Sequence, residues 1–89
     1  MKLILAIVHE DDTEEVMLAL RQKGLRCTKI STTGGFLRKG NATLMIGAED
    51  ARVEDAVTII REHGHVHTDA SVKVGSAVFV FDVERYERF

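Results

Sequence analysis

The chain has 89 residues, of which 45% are hydrophobic and 29% are charged, so it is long enough to build one hydrophobic core. Its 12 lysines and arginines are outnumbered by 14 aspartates and glutamates, and this balance argues against a general nucleic-acid-binding protein. The only cysteine excludes an intrachain disulfide, and the apolar run near residue 1 is too short for a signal peptide or a membrane span. We therefore expect one domain over residues 1–89, cytoplasmic and not inserted in a membrane.

The first predicted elements are a strand and a helix. KLILAIV at 2–8 is a continuous apolar run, typical of a strand buried on both faces. Residues 12–23 have the apolar spacing of a helix, with capping oxygens offered by Asp11, Asp12 or Thr13 at its start and Gly24 after its end. The apolar face of this helix is expected to contain Val16, Leu18, Ala19 and Leu20, with Met17 near its edge.

Two further strands follow. LRCTKIST at 25–32 alternates in polarity, which predicts a strand with Arg26 and Thr28 on one face. Cys27 should then face the core as a buried, unreactive thiol. ATLMIGAE at 42–49 is mostly apolar and predicts the next strand.

A second helix begins at 49–51 and ends at Gly64, and strands are predicted at 66–74 and 76–83. The order β-α-β-β-α-β, with an extra strand, is that of an α+β, ferredoxin-like domain. Its two helices should cover one face of an antiparallel sheet. Because both faces of the first strand are apolar, we expect the other sheet face to be buried by further subunits, as in a trimer.

The stretch TTGGFLRKGN, at 32–41, has the residues of a nucleotide-binding loop. Its adjacent glycines let a ligand approach the main chain, and Arg38 and Lys39 supply positive charge for a phosphate. Phe36 offers a ring on which a purine can stack, and Asn41 can read the edge of a base. The plainer interpretation is a hairpin whose glycines serve its turns and whose apolar side chains pack on a neighbouring subunit.

Three longer segments carry a resemblance to a known family. They are MKLILAIV, GLRCTKISTTGGFLRKGNATLMIGAED and VGSAVFVFDVERYERF, and the pattern RxTKxxxTGGFLRxGN is long and specific. With them the sequence resembles the PII-like family of bacterial cyclic di-AMP receptors. The resemblance implies a homotrimeric signalling receptor, not an enzyme, that binds cyclic di-AMP between subunits and needs no cofactor. The segment after the second helix is shorter than in typical members.

The same resemblance implies the residues of the site. Arg26 and Thr28 would contact the phosphate and ribose region or the base edge, and Asn41 would hydrogen-bond the nucleotide. The remaining ligand-binding candidates implied in this way are Gly35, Phe36 and Leu37 in the loop, Gly47 in the third strand and Phe79 in the last strand. A downstream partner protein is implied without being identified.

Other residues allow a different function. His63, His65 and His67 alternate in sequence, and three imidazoles on one face of an extended segment can bind zinc, copper or nickel. A metal site built around His65 and His67 would make the protein resemble the trimeric copper-tolerance family. A third reading is an interaction module that has lost nucleotide binding. The acidic residues at 10–15 and 49–55 are typical of helix starts and solvated faces.

Overall fold

A computed structural model describes residues 1–30, 40–65, 67–69 and 72–89, with only the backbone described for 67–69 and 72–74. The strands are β1 (Lys2–His9), β2 (Cys27–Ile30), β3 (Asn41–Ala48), β4 (His67–Asp69), β5 (Val72–Val74) and β6 (Ala77–Asp82). The helices are α1 (Thr13–Gln22) and α2 (Val53–His63), each preceded by a 3-10 turn, Glu10–Asp12 and Asp50–Arg52. No helix in the described ranges is long and apolar enough to cross a membrane.

Four strands form one antiparallel sheet in the order β2-β3-β1-β6. This order and the two helices confirm the predicted ferredoxin-like arrangement. The central strands β1 and β3 pair along their full lengths, from Lys2 opposite Ala48 to His9 opposite Asn41. Strands β2 and β6 are consequently the two edges of the sheet.

The core lies between the sheet and the helices. The even-numbered hydrophobic side chains of β1 and β3 are buried there, among them Ile4, Leu44 and Ile46. The helices contribute Val16, Leu20, Ala56, Ile59 and Ile60 to the same cluster. Within this single chain β1 is therefore fully buried on one face only, because Leu3, Leu5 and Ile7 on the other face are half-buried.

The opposite, outer face of the sheet is apolar and open. The register aligns Thr28, Met45, Leu5 and Phe79 in one row across the four strands, and places Gly47, Leu3 and Phe81 in the next. Phe79 and Phe81 are 46% and 47% exposed. Aromatic side chains that stay exposed next to half-buried leucines are typical of a surface that another chain covers.

Several details differ from the sequence predictions. The strand predicted at 66–74 is two short strands, β4 and β5, which pair with each other apart from the main sheet. Alternating polarity cannot reveal that change of direction, because each half alternates equally well. Leu18 was placed on the apolar face of α1 but is 53% exposed, and Cys27 is half-buried rather than buried.

The start of α1 also differs. The Asp12 side chain caps no amide of α1. Its carboxylate instead accepts a hydrogen bond of 2.9 Å from the backbone amide of His65. The preceding turn is capped by His9, whose Nδ1 accepts from the Asp11 amide at 3.1 Å. A contact spanning 53 positions has no local signature in the sequence.

Candidate functional site

Three predicted site residues lie together where β2 begins and β3 ends. Arg26 directly precedes β2, and because Cys27 pairs with Ile46, Arg26 lies opposite Gly47. Thr28 pairs with Met45 on the outer face of the sheet and is exposed. Gly47 has no side chain at this point, and the Met1 side chain lies against it: an added Cβ would be 3.2 Å from the Cε atom of Met1. These residues thus form one polar corner of an apolar sheet face.

A shallow groove runs along the open edge of β2 at this corner. It is lined by Arg21, Gly24, Leu25, Arg26, Cys27 and Thr28. The chain enters the groove through Gly24, whose φ of 77° lets it turn sharply from the end of α1. Burial raises the pKa of the Cys27 thiol, which favours its protonated form at neutral pH.

Asn41 lies at the opposite end of β3. It pairs with His9, the last residue of β1, and follows Gly40, whose φ of 88° directs the chain into the strand. The Gly40 carbonyl accepts a 2.7 Å hydrogen bond from the Glu10 amide, which fixes this end of the sheet. Gly47 is six positions after Asn41 in the same strand, a span of about 20 Å.

Phe79 lies on the β6 edge, in the same row as Thr28 but with two strands between them. Three strand spacings make this separation about 14 Å. Ligand pockets of roughly 300–1,000 Å³ are about 10 Å across. One chain therefore does not gather Arg26, Asn41 and Phe79 around a single small molecule.

The remaining loop candidates, Gly35, Phe36 and Leu37, lie outside the described residues. The same holds for the predicted phosphate-binding cations Arg38 and Lys39. The two ends of the segment that contains them are described: Ile30 ends β2, and Gly40 precedes β3. Since β2 and β3 pair directly, this segment connects neighbouring strands at the Asn41 end of the sheet.

The histidines contact the first helix. His63 Nδ1 lies 2.8 Å from Glu15 Oε2, and His65 Nε2 lies 3.5 Å from Glu15 Oε1. Hydrogen bonding to His63, and then to His65, lowers the pKa of the Glu15 carboxyl. Among the residues with described positions, no group of three such side chains has the arrangement of a metal site. The structure does not describe the side chain of His67, so the metal site at His65 and His67 stays a prediction.

Sequence reasoning missed two contributors to these surfaces. Arg21 was read only as a cation in the last turn of α1, yet it lines the groove beside Arg26. Glu15 was read as a helix-start acid, yet it binds two histidines from the end of α2. Both contacts depend on how α1 packs, and nothing in the local spacing of the sequence signals them.

Comparison with known proteins gives two findings. The sequence model of a family described as "Cyclic-di-AMP receptor" matches residues 1–70. A solved structure titled as the crystal structure of a functionally unknown protein from Pediococcus pentosaceus ATCC 25745 is 38% identical, with a TM-score of 0.79. That match covers 99% of this chain and 96% of the Pediococcus chain, so little of either is left unmatched.

Proposed function

The chain belongs to the cyclic-di-AMP receptor family, and we propose that it is a signalling receptor that binds cyclic di-AMP at the subunit interfaces of a homotrimer. The observation that carries this proposal is the family match, which includes both strands of the polar corner and the loop between them. The bound nucleotide would change how the trimer meets a downstream protein, with no chemical reaction involved.

The spread of the candidate residues supports a pocket shared between subunits. Arg26 and Asn41 lie near opposite ends of the same sheet, and Phe79 is at its far edge. A single pocket about 10 Å across can use all three only if neighbouring chains supply some of them. The exposed apolar outer face provides the surface on which such neighbours would pack.

Each candidate residue has a role suited to its chemistry. Arg26 would bind a phosphate through its guanidinium, and Thr28 would donate its hydroxyl to the phosphate or ribose. Asn41 would read an adenine edge with its amide, and Gly47 would let the ligand approach the backbone of β3. The adenine pocket would be lined by Gly35, Phe36 and Leu37. Phe79, on the edge strand β6, would lie beside this pocket.

Isothermal titration calorimetry tests this function. We expect cyclic di-AMP to bind with about one ligand per subunit, in preference to cyclic di-GMP, ATP and AMP. The Arg26→Gln variant should bind at least about tenfold more weakly, because a charge-assisted contact to phosphate is lost. Lys29→Gln is the matched control, since this substitution also removes one positive charge at the same edge of the sheet. Lys29 lies in β2 but on the helix-facing side of the sheet.

Two results of these titrations would contradict the proposal. Folded wild-type protein that binds none of the four nucleotides would mean that the receptor function is absent. Equal affinity of the Arg26→Gln and Lys29→Gln variants would show that binding occurs elsewhere on the chain.

A further inference from the structure

The groove along the edge of β2 contains a second guanidinium with no assigned role. Arg21 reaches this groove from the last turn of α1, and Arg26 reaches it from the start of β2. Both side chains are exposed. The turn at Gly24 reverses the chain between them, so two arginines five positions apart face one depression.

The charges of these two arginines are not neutralised by the side chains that the structure describes around them. Among the described residues, no carboxylate lines the groove, whose other members are Gly24, Leu25, Cys27 and Thr28. Two other arginines are paired: Arg52 Nε lies 2.9 Å from Asp55, and Arg85 lies 2.6 Å from Glu87. Two uncompensated guanidiniums at one groove make a local positive potential that favours an anion.

The anion that suits this pair is a phosphodiester. Guanidinium groups match phosphate oxygens with two parallel N–H donors, and the Thr28 hydroxyl at the same groove adds a further donor. The space beside Gly24, which also lines the groove, is open, because an added Cβ there would meet no atom within 4 Å. The groove therefore has donors, charge and room for one phosphate group.

We propose that Arg21 and Arg26 together form a phosphate subsite, which holds one phosphodiester of the bound cyclic dinucleotide. The identity of the ligand rests on the proposed function, whereas the subsite itself rests on the groove. A competing role for Arg21 is to stabilise the carboxyl end of α1 through the helix dipole. That role affects the stability of the fold and leaves ligand affinity unchanged, so the two can be separated.

The test compares wild-type protein with Arg21→Gln, Arg21→Lys and Arg61→Gln variants. Arg61 is the matched control because it is an exposed arginine near the end of α2. The end of α2 contacts the start of α1, whereas the groove lies at the other end of α1. Each protein is titrated with cyclic di-AMP by calorimetry at several salt concentrations. Thermal unfolding is recorded for each variant in parallel.

We expect Arg21→Gln to weaken cyclic di-AMP binding about tenfold and to make it less dependent on salt. Arg21→Lys should keep most of the salt dependence but still bind less tightly, because an ammonium lacks the two parallel donors. Arg61→Gln should match wild type. If Arg21→Gln lowers only the melting temperature, with affinity and salt dependence unchanged, the subsite is wrong and Arg21 serves the helix.

A second probe separates failure of the subsite from failure of the receptor function. Inorganic pyrophosphate is titrated into isotopically labelled protein, and amide NMR signals of residues 21–28 are followed. If wild type binds no cyclic di-AMP but pyrophosphate shifts these signals, and Arg21→Gln abolishes the shifts, the subsite stands without the proposed ligand. If neither probe perturbs this segment, the subsite is overturned.

Discussion

Gly24 shows how one backbone angle shapes the site. Its φ of 77° lies in the left-handed region, where a side chain costs about 1–2 kcal/mol. An added Cβ would meet nothing within 4 Å, so a substitution there tests backbone strain alone. We expect Gly24→Ala to lower the free energy of unfolding by about 1 kcal/mol, measured by urea denaturation.

Two comparisons sharpen the Gly24 prediction. Gly24→Asn should lose less stability than Gly24→Ala, because asparagine tolerates left-handed angles better. Gly47→Ala is the control in ordinary strand geometry, where the new methyl meets only the flexible Met1 side chain at 3.2 Å. A Gly24→Ala protein as stable as wild type would show that the turn relaxes to another conformation.

Individual residues also show the limits of sequence reasoning. Arg26 and Thr28 could be placed on one face from the alternation of a short strand, and the register puts Thr28 on the outer face, with Arg26 just before the strand. The distance of about 20 Å between Asn41 and Gly47 follows from their positions in one strand. The inclusion of Arg21 in the groove could not be predicted, because it depends on where α1 ends against β2.

At the scale of elements, the sequence pattern predicted the helices and strands whose formation depends on local residues. The two helices have the apolar spacing of 3.6 residues, and the strands of the main sheet are short apolar or alternating runs, so their existence and order could be predicted from the sequence. The pairing of β4 with β5, and the contact between Asp12 and the His65 amide, depend on tertiary packing. Such contacts join positions that the sequence does not mark as neighbours.

The junction between α1 and α2 should respond to acid. The lowered pKa of Glu15, caused first by His63 and then by His65, means that its ionised form is favoured in the folded state. A carboxyl of this kind stabilises the fold above its ordinary pKa of 4.5, and this stabilisation disappears as pH falls through the lowered value. We expect the stability difference between wild type and Glu15→Gln to shrink as pH falls below 4.5 and through the lowered pKa of Glu15.

Denaturation curves recorded across the acid range test this behaviour. Glu14→Gln is the matched control, since it removes a neighbouring exposed carboxylate from the same turn of α1. The effect should be small, because Glu15 is at the surface and solvent screens its contacts. Stability curves of Glu15→Gln and wild type that stay parallel through the acid range would contradict a lowered pKa.

At the scale of the whole molecule, the outer face of the sheet determines how subunits can assemble. Phe81 is 47% exposed there, next to half-buried Leu3, and it has no role in the proposed nucleotide contacts. If trimers form through this face, Phe81→Glu would bury three charges at the interface, which is costly without partners. We expect this variant to run as a monomer in size-exclusion chromatography with light scattering, while wild type runs as a trimer.

Leu18→Glu provides the matched control for assembly. Leu18 is 53% exposed on α1, in the helical layer opposite the outer face of the sheet. The Leu18→Glu substitution therefore also replaces an exposed apolar side chain by a charge, but away from the proposed interface. This variant should remain trimeric and bind cyclic di-AMP as wild type does.

Because the pocket is proposed to need a neighbouring chain, the Phe81→Glu monomer should lose nucleotide binding while its circular dichroism stays native. A Phe81→Glu protein that stays trimeric would place the interface elsewhere, and a folded monomer that binds fully would place the whole pocket within one chain.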